Sequence, residues 1–239
     1  GNQCQESFSM RILVGADVPR DPNSGAAGTV YQTNLALREL GHEVDEIWED
    51  DLGRRIKHGN LHYLLELPRH YRDIVRERCE KFDYDVIQLS QPHAYLAALD
   101  HQRTGRPGIF VIRSHGVEQK VDEALNIYET SKQSHSRGRA FISQVMSRFI
   151  RRHAVLSGQY ADGLIVPCVD DKTYMVECLK VPAEKIAVIW HGVPQAFIDN
   201  LPKMYSRERH RRLLYVGQFA HFKAPHIVAG SFNEVLSEC

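Results

Sequence analysis

The sequence predicts an α/β protein built on a doubly wound, Rossmann-like parallel sheet, followed by the start of a second unit of the same kind. Three observations predict it. Short apolar runs, such as RILVG at Arg11–Gly15 and GLIV at Gly163–Val166, recur along the chain. Segments with helical apolar spacing lie between them, and that alternation is the pattern of strands that pair in parallel through right-handed crossovers. After a basic segment at Leu201–Arg212, LLYVG at Leu213–Gly217 repeats the opening theme.

Each element has a local reason. Residues 1–9 are polar and aperiodic and precede the first methionine, Met10, so they read as a leader or an expression remnant outside the fold. Arg11–Gly15 suits a buried strand. Asp17–Gly28 (DVPRDPNSGAAG) is dense in turn formers and reads as a loop. Thr29 can cap a helix in which Val30, Thr33, Leu37 and Leu40 share a face, and Gly41 stands where a helix C-terminus favours glycine. His42–Trp48 alternates as a strand does. Further along, helices are expected over Arg69–Lys81, Ala94–Gln102, Val121–Glu129, Arg139–Tyr160 and Asp170–Leu179. Strands are expected at Asp85–Leu89, Gly108–Ser114, Gly163–Val166 and Lys185–Trp190. Residues 10–200 then form one domain. Residues 201–212 carry five Lys or Arg against one acid and read as a linker. Residues 213–239 supply one strand and a helix over Lys223–Leu236. One strand and one helix cannot enclose a core, so this second domain reads as truncated.

Composition narrows the function classes. With 30 Lys+Arg against 30 Asp+Glu, the chain lacks the basic excess of a nucleic-acid binder. At 43% hydrophobic and 25% charged it has a globular composition, and no run approaches the ~20 apolar residues of a membrane span. Five cysteines without C-x-x-C spacing read as reduced thiols in a cytosolic protein, not as a zinc ribbon or a redox dithiol.

Four segments can carry chemistry. Ser24–Thr29 (SGAAGT) lies between strand and helix. Its small residues let a ligand approach the backbone, and a helix start offers unpaired N–H groups to a phosphate. The G-x-x-G spacing is neither the dinucleotide fingerprint nor the P-loop, so it reads as a phosphate-facing loop or as a flexible turn. Arg113–Glu118 (RSHGVE) puts His115 just past a strand end, where open sheets bind ligands. There an imidazole either hydrogen-bonds or shares a proton with a ligand, or is structural. Val188–Pro194 (VIWHGVP) is again a strand end followed by glycine, or a plain turn. Gly217 with Lys223 can hold a diphosphate by charge, or the lysine is solvated. His58 and His62 are four apart without an H-E-x-x-H pattern, so no metal site is expected. The helix at Arg139–Tyr160 turns Phe141, Ile142, Val145 and Phe149 one way and Arg148, Arg151 and Arg152 the other. That suits a core helix with a solvated basic face, or one touching an anionic membrane.

In order and spacing these segments resemble the retaining GT-B glycosyltransferases of the nucleotide-sugar-dependent family four. The opening from Met10 to Val44, RSHGVE, Ala161–Ile198 and Leu213–Leu236 each resemble a segment of that family, so the match spans nearly all of Met10–Leu236. The resemblance implies an N-terminal Rossmann-like domain holding the acceptor and a C-terminal one holding most of the donor. It implies that His115 hydrogen-bonds the donor sugar as the catalytic residue, and that Gly25, Gly28, Gly217 and Lys223 bind the donor. It implies a nucleotide-sugar co-substrate, no cofactor and no metal. The acceptor would be a glycan, lipid or small molecule, with peripheral contact at the inner membrane face. Acceptor-binding residues stay unassigned. Departures from the family pattern are Gln218 for an arginine, Ala224 for a glycine, and His191 and Pro194 in a turn usually close to N-G-V-D. The family's paired glutamates would lie beyond Cys239. The chain is therefore expected to be an incomplete glycosyltransferase, inactive alone. The alternatives are a non-catalytic sugar- or nucleotide-binding subunit that needs a partner, and a GT-B nucleotide-sugar epimerase.

Overall fold

A computed structural model describes residues 9–90, 92–117, 137–193, 195–199, 215, 217 and 223–238. They fall into two compact units that part between Gly192 and Val193. The first is built on six parallel strands: β1 Arg11–Gly15, β2 Glu43–Ile47, β3 Val86–Ser90, β4 Ile109–Arg113, β5 Gly163–Val166 and β6 Ile186–Val188. Their order is β2-β1-β3-β4-β5-β6. The chain leaves β1 for one edge and returns to β3 on its other side, so the order reverses between β1 and β3. The expected α/β, Rossmann-like class is what the structure has.

The sheet buries both faces. Ile12 and Val14 of β1 pack with Val44 and Val30 on one side. Leu13, Ile87, Leu89, Phe110, Ile112 and Leu164 pack with Tyr71 and Ala97 on the other. Alternate residues of one strand reach opposite layers, which is why the strands read as continuous apolar runs.

Helix α1, Gly25–Glu39, starts earlier than expected, with Ser24 rather than Thr29 at its N-cap. Thr29 lies within the helix, its Oγ1 donating to the Gly25 carbonyl one turn back at 2.9 Å. Leu40 does not join the core and is 69% exposed. The inward position is taken by Asn34, fully buried, whose Nδ2 donates to Glu46 at 3.2 Å. Burial pushes the Glu46 carboxyl up, but hydrogen bonds from Trp48, Arg38 and Asn34 outweigh it and hold the group below its ordinary value. Gly41 does end the helix, at φ 92°, with its N–H on the Arg38 carbonyl at 3.0 Å.

Between β2 and the next long helix the chain is also helical. It forms α2 at Glu49–Leu52, a helical turn at Gly59–Leu61 and a π-helical segment at His62–Glu66. These run into α3, Leu67–Lys81, where Pro68 sits in the first turn and its missing N–H costs nothing. Helix α4, Tyr95–Thr104, leads to β4 through Gly108 at φ 84°. A Cβ there would run into the Tyr84 and Asp85 carbonyls.

Helix α5, Arg137–Tyr160, buries His153, Ala154 and Ser157. Phe149 does not face the core as expected; it is 50% exposed, beside the exposed Arg148, Arg151 and Arg152. Helix α6, Val169–Glu177, precedes β6. Cys79, Cys168 and Cys178 are unpaired thiols. In the second unit the described helices are α7, Gln195–Asp199, and α8, Pro225–Glu238. The helix expected at Val121–Glu129 and the linker at 201–212 lie outside the described residues, as does most of the strand expected at Leu213–Gly217. Among the described residues no helix is long and apolar enough to cross a membrane.

Candidate functional site

Where strand order reverses, the loops leaving two neighbouring strands part and open a crevice at their carboxyl ends. Here a cavity of about 390 Å³ occupies it. Asp17, two residues beyond β1, lines it, together with Ser90 and His93 at the end of β3, His115 beyond β4, and Tyr63 from the π-helical segment.

His115 is held by Ser90, whose Oγ lies 3.2 Å from the imidazole Nε2. Its Nδ1 is buried and has no hydrogen-bond partner among the described residues. His191 places its ring nearly parallel, 6.2 Å away at 11°. Burial, then Arg113 and His191, depress the His115 pKa to about 4, so it is a neutral imidazole at physiological pH. It can hydrogen-bond a ligand hydroxyl but brings no charge. Arg113 itself is buried, with Nη1 donating to Thr33 Oγ1 of α1 at 3.1 Å.

A second group of polar side chains stands behind the cavity wall. Glu66 is buried and accepts from the backbone N–H of Arg55 at 3.0 Å and of Ile56 at 2.9 Å. His62 Nδ1 lies 2.8 Å from the same carboxylate. The His62 contact, working against desolvation and joined by the two amides, holds Glu66 down to about 2. An ionised Glu66 only accepts, so Nδ1 carries the proton and donates. The other ring nitrogen, Nε2, is thereby aimed at Asp17, 3.9 Å away. Burial raises the Asp17 carboxyl, partly offset by His62.

The third group is aromatic. Tyr63 stacks on His93 with centroids 5.5 Å apart at 23°. His93 faces His153 of α5, Nδ1 to Nδ1, at 3.3 Å. One nitrogen must donate and the other accept, so the pair cannot hold protons on both. Burial, with His153 as the next cause, drives His93 to about 3, and burial brings His153 to about 4. Among the described residues no group of three or more His, Cys, Asp or Glu could hold a metal ion.

Residues 23–197 match the sequence model of Glycosyltransferase Family 4. The chain belongs to glycosyltransferase family 4. No curated protein matches it significantly. Among solved structures, this family 4 chain is similar to sucrose-phosphate synthase from Thermosynechococcus elongatus, with a TM-score of 0.54 at 14% identity over 80% of this chain and 53% of that one. It is also similar to the catalytic domain of starch synthase IV from Arabidopsis thaliana, solved with ADP and acarbose, with a TM-score of 0.52 at 9% identity over 77% of this chain and 52% of that one. These likenesses support the GT-B, Rossmann-like fold. The family 4 chain spans about half the length of either structure.

The residues singled out in the sequence fall in different places. His115 lines the cavity. Gly25 is the first residue of α1, and a Cβ there would meet nothing within 4 Å. Gly28 is different: a Cβ would come within 2.8 Å of the Pro22 carbonyl oxygen, so this glycine makes room for the chain's own loop. Neither glycine lines the cavity. Gly217 and Lys223 belong to the second unit and are exposed, with the Tyr215 hydroxyl donating to the Lys223 carbonyl at 3.1 Å. Gln218 lies outside the described residues. The sequence reading weighed His62 only as a metal ligand, and missed Asp17, Tyr63, Glu66, Ser90 and His93. A signal existed for Asp17 and Ser90, since both stand at the carboxyl end of a strand.

Proposed function

We propose that this family 4 chain forms the acceptor-side half of a glycosyltransferase that moves a sugar from a nucleotide-sugar donor with retention of configuration. The observation that carries the reading is a family match across the sheet unit joined to a switch-point cavity lined by His115, whose ring Ser90 holds at Nε2. His115 hydrogen-bonds a hydroxyl of the transferred sugar; being neutral, it orients without adding charge. Gly25, open at the first turn of α1, lets the donor diphosphate approach the backbone N–H groups at that helix end. Gly28 serves the same loop indirectly, by seating Pro22 against the helix. Gly217 and Lys223 contribute donor contacts and a charge from the second unit. Stabilising the departing diphosphate is then the main catalytic term, and that group takes the acceptor's proton on the face it leaves, which retains configuration. The nucleotide sugar is a co-substrate, not a resident cofactor. The protein works in the cytoplasm.

The test uses the natural full-length protein with UDP-, ADP- and GDP-sugars and a mixed acceptor pool. Nucleotide diphosphate release is measured together with the anomeric signal of the product by NMR. Retained configuration is expected, with little transfer from the 239-residue chain. His115→Ala should lower kcat about 10- to 100-fold, the worth of one or two buried hydrogen bonds, with the fold intact by circular dichroism. An inverted product, or no donor consumption by the full-length protein, refutes the reading.

A further inference from the structure

The segment leading into α3 packs the opposite way from an ordinary surface helix. Its polar side chains His62 and Glu66 are buried, while Leu61, Tyr63 and Leu65 are 42%, 40% and 48% exposed. The inward positions are explained by their bonds: Glu66 takes the backbone N–H groups of Arg55 and Ile56, with His62 beside it. Nothing in those bonds requires the outward positions to be apolar. Adjoining apolar side chains left in water mark a surface that something covers.

Cations border this ridge. The Glu66 bonds fasten residues 54–57 alongside it, and there Arg54, Arg55 and Lys57 are exposed. Arg54 donates to the Ile56 and Lys57 carbonyls at 3.1 and 2.8 Å, which keeps the stretch compact. At the other end Arg69, also exposed, donates to the Leu65 carbonyl at 2.8 Å.

Helix α5 extends the surface. Tyr63 stacks on His93, and His93 meets His153 of α5. Tyr95 lies against the same His153, with ring centroids 4.5 Å apart. Burial raises the Tyr95 hydroxyl pKa, while Arg69 and Arg152 work against it, so guanidiniums from α3 and α5 approach one place. Phe149 precedes His153 by one helical turn and is half exposed, with Arg148 and Arg152 exposed beside it. Acids are scarce here. Buried Glu66 is the single Asp or Glu in residues 53–68, and Arg137–Tyr160 contain none.

Apolar side chains interleaved with arginine and lysine suit an anionic bilayer, where the cations meet lipid phosphates and the apolar groups enter the headgroup–acyl boundary. A second copy of the chain fits worse, because face to face it would bring cations onto cations. The basic face of α5 is equally at home in water; the ridge of Leu61, Tyr63 and Leu65 beside it decides between the two. We propose that the outer face of residues 54–69, together with the Phe149 side of α5, docks on an anionic lipid bilayer. Leu61, Leu65 and Phe149 insert, and Arg55, Lys57, Arg148 and Arg152 pair with lipid phosphates. The inference is independent of glycosyl transfer.

The test is co-sedimentation of the 239-residue chain with vesicles of phosphatidylcholine alone and of phosphatidylcholine mixed with phosphatidylglycerol. The mixed vesicles should bind at least about 10-fold more tightly, since each basic residue near an anionic surface is worth about 5-fold. Added salt should erase the difference. Lys57→Glu with Arg152→Glu should weaken binding to mixed vesicles more than about 10-fold on the same scale. Lys81→Glu with Arg103→Glu changes net charge equally at exposed positions near the far ends of α3 and α4, and should leave binding within about 2-fold. Leu61→Ser with Leu65→Ser keeps the charge and should weaken binding about 10-fold through lost apolar burial. Circular dichroism and Tm confirm that each variant is folded. No binding to mixed vesicles overturns the proposal and leaves the face to a protein partner. Binding that ignores the leucine pair overturns it too, as does binding that both charge reversals weaken equally.

Discussion

Gly25 and Gly28 look equivalent in the sequence, and the structure separates them. Both lie in the first turns of α1, so replacing either by alanine gains a similar helix propensity, up to about 1 kcal/mol. At Gly25 the new Cβ meets nothing within 4 Å. At Gly28 it would approach the Pro22 carbonyl oxygen to 2.8 Å and the Pro22 carbonyl carbon to 3.4 Å. Those are backbone atoms, so relief requires moving the loop that carries Asp21, Pro22 and Asn23, not rotating a side chain. Overpacking of this kind costs about 1–3 kcal/mol. Because the propensity gain is shared, the difference between the two variants isolates the clash. Gly28→Ala should be about 1–3 kcal/mol less stable than Gly25→Ala, or roughly 2–12 °C in Tm at about 2–4 °C per kcal/mol. Paired thermal and urea unfolding, followed by far-ultraviolet circular dichroism, measures this directly. Equal stability of the two variants would refute the assignment of Gly28 to packing. The same pair probes function in the opposite sense. In the full-length protein, Gly25→Ala should weaken nucleotide-sugar affinity without loss of stability.

Two further predictions concern stability. The buried histidines His93, His115 and His153 have pKa values of about 3, 4 and 4 against an ordinary 6.5. Below 6.5 the unfolded chain takes up these protons first, so the stability they contribute is present above pH 6.5 and is lost as pH falls towards 4. The urea midpoint should therefore drop across that window, and His153→Gln should flatten the drop; an unchanged slope would show that these rings do not control acid stability. In the second unit, Ala224 holds φ 54°, in the left-handed region, immediately before α8. Ala224→Gly should relieve about 1 kcal/mol of strain, seen as slower amide exchange in α8, and faster exchange would contradict it.

The sheet was legible because its strands are buried on both faces and leave uninterrupted apolar runs. His115 was legible because it follows such a run directly. Helix α1 was read correctly as an element but started in the wrong place, since Thr29 satisfies the Gly25 carbonyl inside the helix instead of capping it. The segment from His62 to Glu66 escaped notice for a different reason. It turns His62 and Glu66 inward and leaves Tyr63 40% and Leu65 48% exposed, the reverse of what an apolar pattern announces. A one-residue expansion of the helical turn at that point permits this register, and such expansions are concentrated at functional sites. The Asp17–His62 approach joins a loop to a helical segment far away in sequence, and nothing local in either encodes it. His191 read as part of a turn, and only the fold lays its ring beside His115.

The two faces of the sheet carry different side chains around His115. Arg113 bonds to Thr33, so its guanidinium lies on the α1 side of β4, the side where the N-terminus of α1 and the open Gly25 are found. The cavity with Tyr63, His93 and Asp17 draws its wall from α3 and α5 and the segments leading into them, elements that pack on the other face. His115 follows β4 between these environments. Arg113 helps keep its ring neutral from one direction, while Ser90 holds Nε2 from the other. A charged imidazole at that position would add a cation to a cavity whose lining carries Asp17; a neutral one exchanges hydrogen bonds without adding charge. The depressed pKa of His115 thus has burial as its first cause and the neighbouring Arg113 and His191 as its second and third.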